Sequence, residues 1–301
     1  MQLSEYDYGK YETHPKISSP GKCIYCYRVF PPEKLTDEHV IPYALGANTM
    51  IFLKSCCEEC QGKINPYEQS VLKHQLGVFR AQVEAPSRNK KDRPTDANIQ
   101  FFEVDESMTL VRDLGHRIIP LADAPLMFNL WQSPPPRILE ETVIRPSKPW
   151  TFVEKEVAVP LCRKIADETG SLHVAMKVGD VNRLNYLRSL AKTAHAFTAA
   201  KVGLDAFEPC LSDIILNRSD DVDMYVGDIP GIGPFETHLA QTMQISLGGI
   251  PDGPAEGYMV VRIQLYPSLG SPEHLIVVGR PLKDIAALFP DPAEISPTAT
   301  D

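Results

Sequence analysis

Two Cys-x-x-Cys motifs, Cys23/Cys26 and Cys57/Cys60, constrain the fold of this chain more than any other feature. Each motif places two thiolates at one turn of the backbone, and two such turns supply the four ligands of a tetrahedral zinc ion. A site with four cysteine ligands leaves no open position for a substrate, so we expect a structural zinc. Cys56 lies beside the second motif, but Cys57 preserves the two-residue spacing. The alternative, a set of buried free cysteines, is disfavoured by the regular spacing of both pairs.

The other cysteines and the N-terminus predict the compartment. Five of the seven cysteines fall between Cys23 and Cys60, whereas Cys162 and Cys210 stand alone in apolar surroundings. A secreted disulfide framework would use an even number of more evenly spread cysteines. The polar, acidic N-terminus lacks the basic and apolar regions of a secretory signal, and no stretch approaches the ~20 apolar residues that span a bilayer. We therefore predict a cytoplasmic protein without a membrane partner.

Charge is distributed unevenly along the chain. The net charge is −9, but residues 1–100 contain 13 Lys and Arg against 12 Asp and Glu, while residues 101–301 contain the remaining 17 against 27. Only the near-neutral N-terminal part can approach a polyanion, and it must do so through local contacts, because the field of the whole chain is repulsive. Candidate phosphate contacts are the basic residues Lys63, Arg88, Lys90, Lys91 and Arg93. The last four fit a solvated linker equally well.

Composition divides the chain into five segments. We predict an N-terminal arm at 1–20, a cysteine-containing module at 21–85, a basic, proline-punctuated linker at 86–97, a C-terminal domain of mixed helices and strands at 98–290, and a disordered tail at 291–301. We also expect the C-terminal domain to form a homo-oligomer or to bind a regulatory ligand.

Hydrophobic periodicity predicts the main elements of these segments. Helices are expected at 66–79, 160–169, 181–202 and 207–216, with Pro66 and Pro160 in first turns. Short strands are expected at 99–104, 117–121 and 126–131, followed by three consecutive antiparallel strands at 238–248, 258–266 and 274–279. His195 lies inside the helix at 181–202, where a packing role is favoured over a functional one.

The segment between the cysteine pairs carries the residues that fit catalysis, in the run LTDEHVIP at 35–42. We place it on a strand, where neighbouring side chains point to opposite faces. Hydrolysis of a phosphodiester requires a base that takes a proton from water and a cation on the scissile phosphate. His39 fits the base, and Glu38 fits a ligand of a divalent ion. Asp37 is interpreted as a local hydrogen-bonding residue or as a further candidate site residue.

The motifs CIYC, LTDEHVIPYALG and CEEC, in this order, resemble the HNH endonuclease superfamily with its ββα-metal fold. The resemblance covers residues 23–68, a minority of the chain. It implies an α+β protein with a small zinc-stabilised ββα-metal module at the N-terminus and a larger mixed α/β domain of unassigned fold. It also implies that His39 activates water, that Glu38 binds a catalytic Mg²⁺ or Mn²⁺, and that the four cysteines hold structural zinc.

Two positions depart from the pattern of that family. The residue after the last knuckle cysteine is usually Asn or His and serves as a further metal ligand, whereas this chain has Gln61. The Gln61 carbonyl can bind a hard cation, and Asn65, one turn further, is an alternative ligand. The family's middle Asn has no clear counterpart, because Leu53 stands at the expected position and Asn48 comes early.

These observations predict a metal-dependent HNH endonuclease that hydrolyses nucleic acid, with DNA favoured as substrate by the resemblance. Gln61 and the missing middle Asn also fit an alternative, a catalytically degenerate zinc-knuckle module that binds nucleic acid. A third hypothesis is a nuclease effector whose activity is gated by its C-terminal domain.

Overall fold

The computed structural model describes residues 16–45, 50–87, 91, 93–140, 147–177, 179–229, 242–250 and 252–283, together with the backbone of 3–8. Arg88, Lys90, Asn48 and the tail predicted at 291–301 lie outside the described residues. Among the residues that are described, no helix combines the length and the apolar character needed to cross a bilayer.

Helices and strands both contribute to the fold. The strands are β1 (Leu3–Tyr8), β2 (Lys16–Ile17), β3 (Leu35–His39), β4 (Ile51–Cys57), β5 (Asp96–Val104), β6 (Leu110–Pro120), β7 (Met127–Gln132), β8 (Lys148–Val153), β9 (Val174–Lys177), β10 (Phe207–Pro209), β11 (Val226–Asp228), β12 (Met243–Gly249), β13 (Met259–Leu265) and β14 (Glu273–Pro281). The helices are α1 (Glu58–Gln69), α2 (Gly77–Gln82), α3 (Lys155–Thr169), α4 (Arg183–Val202) and α5 (Ser212–Ile215), with a π-helical stretch at Ser70–Gln75. The α+β fold class is thus confirmed.

The first module consists of two antiparallel strands followed by a helix, the order that the resemblance implies. β3 pairs with β4, with Glu38 opposite Phe52 and His39 opposite Ile51. The register shifts just before Glu38, and Lys54 on β4 takes a left-handed conformation with φ 45°. β2 adds a parallel strand on the other side of β4. Glu38 and His39 therefore stand at the end of a strand in a short three-stranded sheet.

The helix at the second cysteine motif begins earlier than predicted. α1 starts at Glu58, and Pro66, predicted to lie in the first turn, is inside the helix. Cys57 is the N-cap residue and Cys60 lies in the first turn, so the second cysteine motif itself forms the start of the helix. The acidic side chains of Glu58 and Glu59 lie in the first turn, where they interact favourably with the positive end of the helix dipole. The interior proline removes one backbone donor, which the packed helix tolerates.

Two other helix boundaries differ from the predictions. α3 begins at Lys155 rather than at Pro160, so this proline is also interior. In the segment 207–216, Phe207–Pro209 pairs with β14 and only Ser212–Ile215 is helical. A proline has no backbone N–H to donate, and it is better placed in a strand at the edge of a sheet than inside a helix.

A six-stranded sheet is the largest element of the C-terminal domain. Its order is β1-β12-β13-β14-β10, and β11 also pairs with β14. β12, β13 and β14 are consecutive and antiparallel, as predicted. β1 pairs with β12 along Leu3–Tyr8, so part of the segment expected to be a loose arm is a strand of this sheet. Two smaller sheets, β6-β5-β9 and β7-β8, lie in the same domain.

One hydrophobic core joins the first module to the C-terminal domain. A single cluster of contacting buried side chains extends from Cys23 to Val278. α4 contributes 13 buried residues out of 20 to the interior, and it packs against α1 as well as against β13 and β14. A helix that is buried nearly all round has no solvated face for its polar residues. The polar side chains that α4 buries therefore need partners in neighbouring elements.

Candidate functional site

The four cysteines of the two motifs converge on one point. The Sγ atoms of Cys23, Cys26, Cys57 and Cys60 all lie within 4.8 Å of one another. Cys26 Sγ is 3.8 Å from Cys57 Sγ, and sulfurs bound ~2.3 Å from a tetrahedral zinc are separated by about 3.8 Å. The donor set fits a structural zinc ion held by four cysteines.

Neighbouring N–H groups donate hydrogen bonds to two of these sulfurs. Such bonds stabilise the thiolate form that binds zinc. The Cys57 N–H donates to Cys23 Sγ at 3.4 Å, and Arg28 Nε donates to Cys26 Sγ at 3.4 Å. Hydrogen bonds from the side chains of Cys56 and Cys60 lower the pKa of Cys23 well below its ordinary value. Cys56 is thus a buried neighbour of the cluster and stays outside the set of four.

A cleft of about 570 Å³ opens where β3 ends, beside α1. The residues predicted to provide the base and the divalent-ion ligands all line it: Glu38, His39, Gln61 and Asn65. Asp37, Glu68 and Lys192 lie in the same lining. The strand pair and the following helix therefore bring the predicted catalytic residues into one concave surface.

Glu38 and His39 differ in burial at the end of β3. The Glu38 side chain is buried, with 7% of its surface exposed, whereas His39 is half-buried in the lining of the cleft. Asp37 is exposed, and its carboxylate accepts a hydrogen bond from the Lys54 N–H at 3.0 Å. That bond fixes the irregular turn of β4, which agrees with a local hydrogen-bonding role. Both residues line the cleft, and His39 is the more exposed of the two.

α1 presents one face to the cleft. Gln61, Asn65 and Glu68 are spaced by four and three residues, so they lie on the same side of the helix, and all three line the cleft. Each carries a side-chain oxygen of the kind that hard divalent cations bind. Together with Glu38, they form an oxygen-rich wall that fits Mg²⁺ or Mn²⁺.

A buried ammonium group lies among these acidic residues. Lys192 is 1% exposed, forms an ion pair with Glu38, and places Nζ 2.9 Å from Glu68 Oε1. It also donates a hydrogen bond to the main-chain carbonyl of His39 at 2.9 Å. Burial alone would lower the pKa of Lys192, but the charges of Glu38 and Glu68 outweigh burial and raise that pKa above its ordinary value. Burial raises the pKa of Glu38, and Lys192 offsets part of the rise.

Basic side chains line another part of the cleft, at Lys73, Arg80 and Arg93. The Arg80 guanidinium donates hydrogen bonds to three main-chain carbonyls at 2.6 to 3.1 Å. Arg93 donates to the carbonyl of Ala85. Within the described residues, both guanidinium groups thus have carbonyl rather than carboxylate partners. Carbonyl hydrogen bonds hold the two guanidinium groups in place, and such positive charges suit a wall that contacts phosphates.

The predicted phosphate contacts have different surroundings in the structure. Arg93 lines the cleft. Lys63 lies on the exposed side of α1 and pairs with an acidic neighbour one turn away, at 3.0 Å. Lys91 is exposed, and Arg88 and Lys90 lie outside the described residues. The structure therefore brings Arg93 to the cleft and leaves Lys63 away from it.

Sequence reasoning missed Glu68 and Lys192, the two charged residues that share the buried cluster with Glu38. Continuing the face of Gln61 and Asn65 by one turn would have reached Glu68, but the helix was predicted to start only at Pro66. Lys192 lies 153 positions after His39, and no local pattern links the two. The available indication was a lysine in the middle of a largely apolar helix, which must find a partner if that face is buried.

Comparison with known proteins adds an independent result. Residues 23–76 match a family described as HNH endonuclease. No curated protein and no solved structure matches the chain. The matched segment contains both cysteine motifs, β3 with Glu38 and His39, and the whole of α1. The resemblance drawn from the motifs is therefore confirmed: residues 23–76 match the HNH endonuclease family and contain a zinc-type cysteine cluster, and a larger domain follows.

Proposed function

We propose that this protein is a metal-dependent endonuclease that hydrolyses phosphodiester bonds of nucleic acid, with DNA as the favoured substrate. The observation that carries the proposal is the cleft that His39 lines together with Glu38, Gln61 and Asn65. The match of residues 23–76 to HNH endonucleases supports a nuclease activity. A metal-assisted hydrolysis needs a base and oxygen donors that face the same substrate, and here both lie in the lining of one cleft.

His39 is the general base in this proposal. A neutral imidazole takes a proton from water as the water attacks phosphorus, and a half-buried ring in the lining of the cleft is accessible to such a water. The hydrogen bond from Lys192 to the His39 carbonyl holds the backbone at this position. The side chain therefore approaches the substrate from a fixed end of β3.

Oxygen donors from two elements would hold the divalent cation, Glu38 from β3 with Gln61 and Asn65 from α1. When bound, Mg²⁺ or Mn²⁺ neutralises charge on the scissile phosphate and stabilises the leaving oxygen. Asp37 and Glu68 add carboxylates to the same cleft. The protein thereby supplies the excess of oxygen ligands that these cations favour.

The charge pattern of the cleft supports a polyanionic substrate. Lys73, Arg80 and Arg93 would contact phosphates next to the one that is cleaved, and they would add a salt-dependent term to the affinity. Residues 101–301 carry 17 Lys and Arg against 27 Asp and Glu, so long-range attraction does not guide the substrate. Binding would depend on these local contacts.

A second candidate is a zinc-stabilised module that binds nucleic acid without cutting it. The ion pair between Glu38 and Lys192 favours this candidate, because it gives Glu38 a structural partner that is independent of any divalent ion. In that case the acidic residues of the cleft would stabilise the interior and the basic wall would bind the substrate.

Cleavage by the purified full-length chain distinguishes the two. Plasmid DNA, single-stranded DNA and RNA are incubated with Mg²⁺, Mn²⁺ or EDTA, using wild type, His39→Ala and the control His116→Ala, an exposed histidine on β6. The nuclease proposal predicts metal-dependent cutting by wild type and the control, and a loss of about 100-fold or more in His39→Ala. Binding without cutting in every metal supports the second candidate. Cutting that survives in His39→Ala removes this residue as the base.

A further inference from the structure

Within the part of the chain that the structure describes, the Lys192 ammonium group contacts residues of the proposed nuclease site. Its Nζ forms ion pairs with Glu38 and Glu68 and donates a hydrogen bond to the carbonyl of His39, so its three partners lie on two elements of the first module. Lys192 itself comes from α4, outside the segment 23–76 that matches HNH endonucleases. A helix of the C-terminal domain thus provides a component of the site.

The cluster contains two acidic side chains but only one basic side chain. Glu38 and Glu68 are carboxylates with little exposure, and Lys192 is the ammonium that lies between them. Two nearby buried carboxylates without a cation would repel each other, so that they separate or one takes up a proton. With Lys192 present, Glu38 is held in one place, and the excess of negative charge remains for a cation in the cleft.

Core stability alone is a weak explanation for such a cluster. A buried ion pair recovers little more than the cost of removing its charges from water, and apolar residues of similar volume are often as stabilising. An ammonium that also fixes the backbone of the proposed base acts on both members of the Glu38-His39 pair at once. That arrangement corresponds to the outer groups that orient metal ligands in other sites.

We propose that Lys192 is a positioning residue of the nuclease site, which holds the Glu38 carboxylate and the His39 backbone in register with the oxygen donors of α1. The inference rests on the proposed nuclease function. It makes the C-terminal domain part of the catalytic unit, because the first module alone lacks the group that arranges its own ligands.

The test is a cycle of full-length variants, Lys192→Met, Glu68→Gln and the double variant, with Lys201→Met as control. Lys201 belongs to the same helix and lies over the Phe197 ring, away from the carboxylates. For each protein we would measure zinc content, unfolding in urea, Mn²⁺ affinity by calorimetry, and kcat and KM for the nucleic acid that wild type cleaves.

Lys192→Met should retain zinc, weaken Mn²⁺ binding about tenfold and lower kcat by about 10- to 100-fold with KM little changed. Adding Glu68→Gln removes the repulsion, so the double variant should recover part of the Mn²⁺ affinity. Lys201→Met should behave as wild type. Wild-type Mn²⁺ affinity and kcat in Lys192→Met would overturn the proposal.

Three further outcomes are decisive. If Lys192→Met does not fold but the double variant does, with a Mn²⁺ affinity below that of wild type, the charge relationship is supported. If neither folds, Lys192 serves the core irrespective of Glu68 and the proposal is wrong. Should wild type cleave no nucleic acid at all, the nuclease function fails, while the Mn²⁺ titrations still report whether Lys192 arranges the ligands.

Discussion

The imidazole of His195 donates a hydrogen bond from Nε2 to the main-chain carbonyl of Ile24 at 2.7 Å, and so connects α4 to the first cysteine motif. The ring is fully buried and lies near the rings of Tyr25, Tyr27 and Phe207, at centroid distances of 5.7, 6.3 and 5.9 Å. Nδ1 has no hydrogen-bond partner within the described residues. The neutral ring is therefore the form that fits this place.

This contact predicts a specific acid sensitivity. Burial lowers the pKa of His195 to about 4, whereas the unfolded chain has the ordinary value near 6.5. The folded-state pKa is depressed, so the contribution is complete above about pH 6.5 and is lost as the pH falls towards about 4. Between pH 7.5 and pH 5, wild type should lose about 2 kcal/mol more unfolding free energy than His195→Gln. Urea titrations at both pH values measure the difference, and equal losses in the two proteins would contradict it.

Zinc removal should unfold the first module. Structural zinc contributes about 10–16 kcal/mol in small zinc-binding peptides, comparable with the whole stability of a domain. Cys57→Ser should therefore abolish the bound zinc and the cooperative unfolding transition of the module, measured by metal analysis and circular dichroism. Cys162→Ser, which changes a half-buried cysteine on α3 outside the cluster, is the matched control. Retention of one zinc per chain by Cys57→Ser would show that the ligand set is different.

A series of linked, buried hydrogen bonds around Asp228 in the C-terminal domain should affect stability without affecting catalysis. Asp228 accepts hydrogen bonds from the Ser133 N–H at 2.8 Å and from His274 Nδ1 at 2.6 Å, and Tyr186 O–H donates to His274 Nε2 at 2.7 Å. Asp228→Asn exchanges one acceptor for a donor and should cost about 3 kcal/mol of unfolding free energy.

The control for Asp228→Asn is Asp223→Asn, which disrupts a partly exposed pair with Arg183 and should cost no more than about 1 kcal/mol. Both variants should cleave at the wild-type rate per folded molecule, because neither residue lines the cleft. A selective loss of kcat in Asp228→Asn would show that the buried hydrogen bonds around Asp228 are coupled to the proposed nuclease site.

The backbone of β11 at Gly227 lies close to the proline run at 134–136. A Cβ at this position would lie 2.2 Å from the Pro134 carbonyl oxygen and 2.6 Å from the Pro136 nitrogen, both of them backbone atoms. Gly227→Ala should therefore cost about 2 kcal/mol or more in unfolding free energy. Gly62→Ala, in the exposed part of α1 with no neighbour within 4 Å, should gain about 0.5–1 kcal/mol. Equal stability of the two variants in urea would exclude the close contact.

Local chemistry made much of the first module predictable. The spacing of Cys23/Cys26 and Cys57/Cys60 requires that the four sulfurs meet, and they do. The run around Glu38 and His39 is predicted to lie on a strand, and it forms β3. The three C-terminal strands were equally visible, because alternating and continuous apolar runs reflect burial against a sheet.

The part that the sequence did not reveal depends on contacts between distant residues. Pro66 resembles a helix start, yet the cysteine motif starts α1 two turns earlier, because ligand geometry overrides local propensity. Lys192 and Glu68 look like ordinary charged positions on helices. Their burial follows from the packing of α4 against α1, which no periodicity within either helix specifies. A closer reading of α4 as a helix without a solvated face would have raised the question of their partners.

The arrangement of α4 also orders events during synthesis. Lys192 is added to the chain 153 residues after His39, which at about 5–20 residues per second corresponds to a delay of roughly 8 to 30 s. Throughout that interval, the nascent chain carries Glu38 and Glu68 without the ammonium that arranges them. The cleft can reach its final geometry only after this core helix has left the ribosome. The proposed nuclease would therefore have an incomplete site for as long as α4 has not been synthesised.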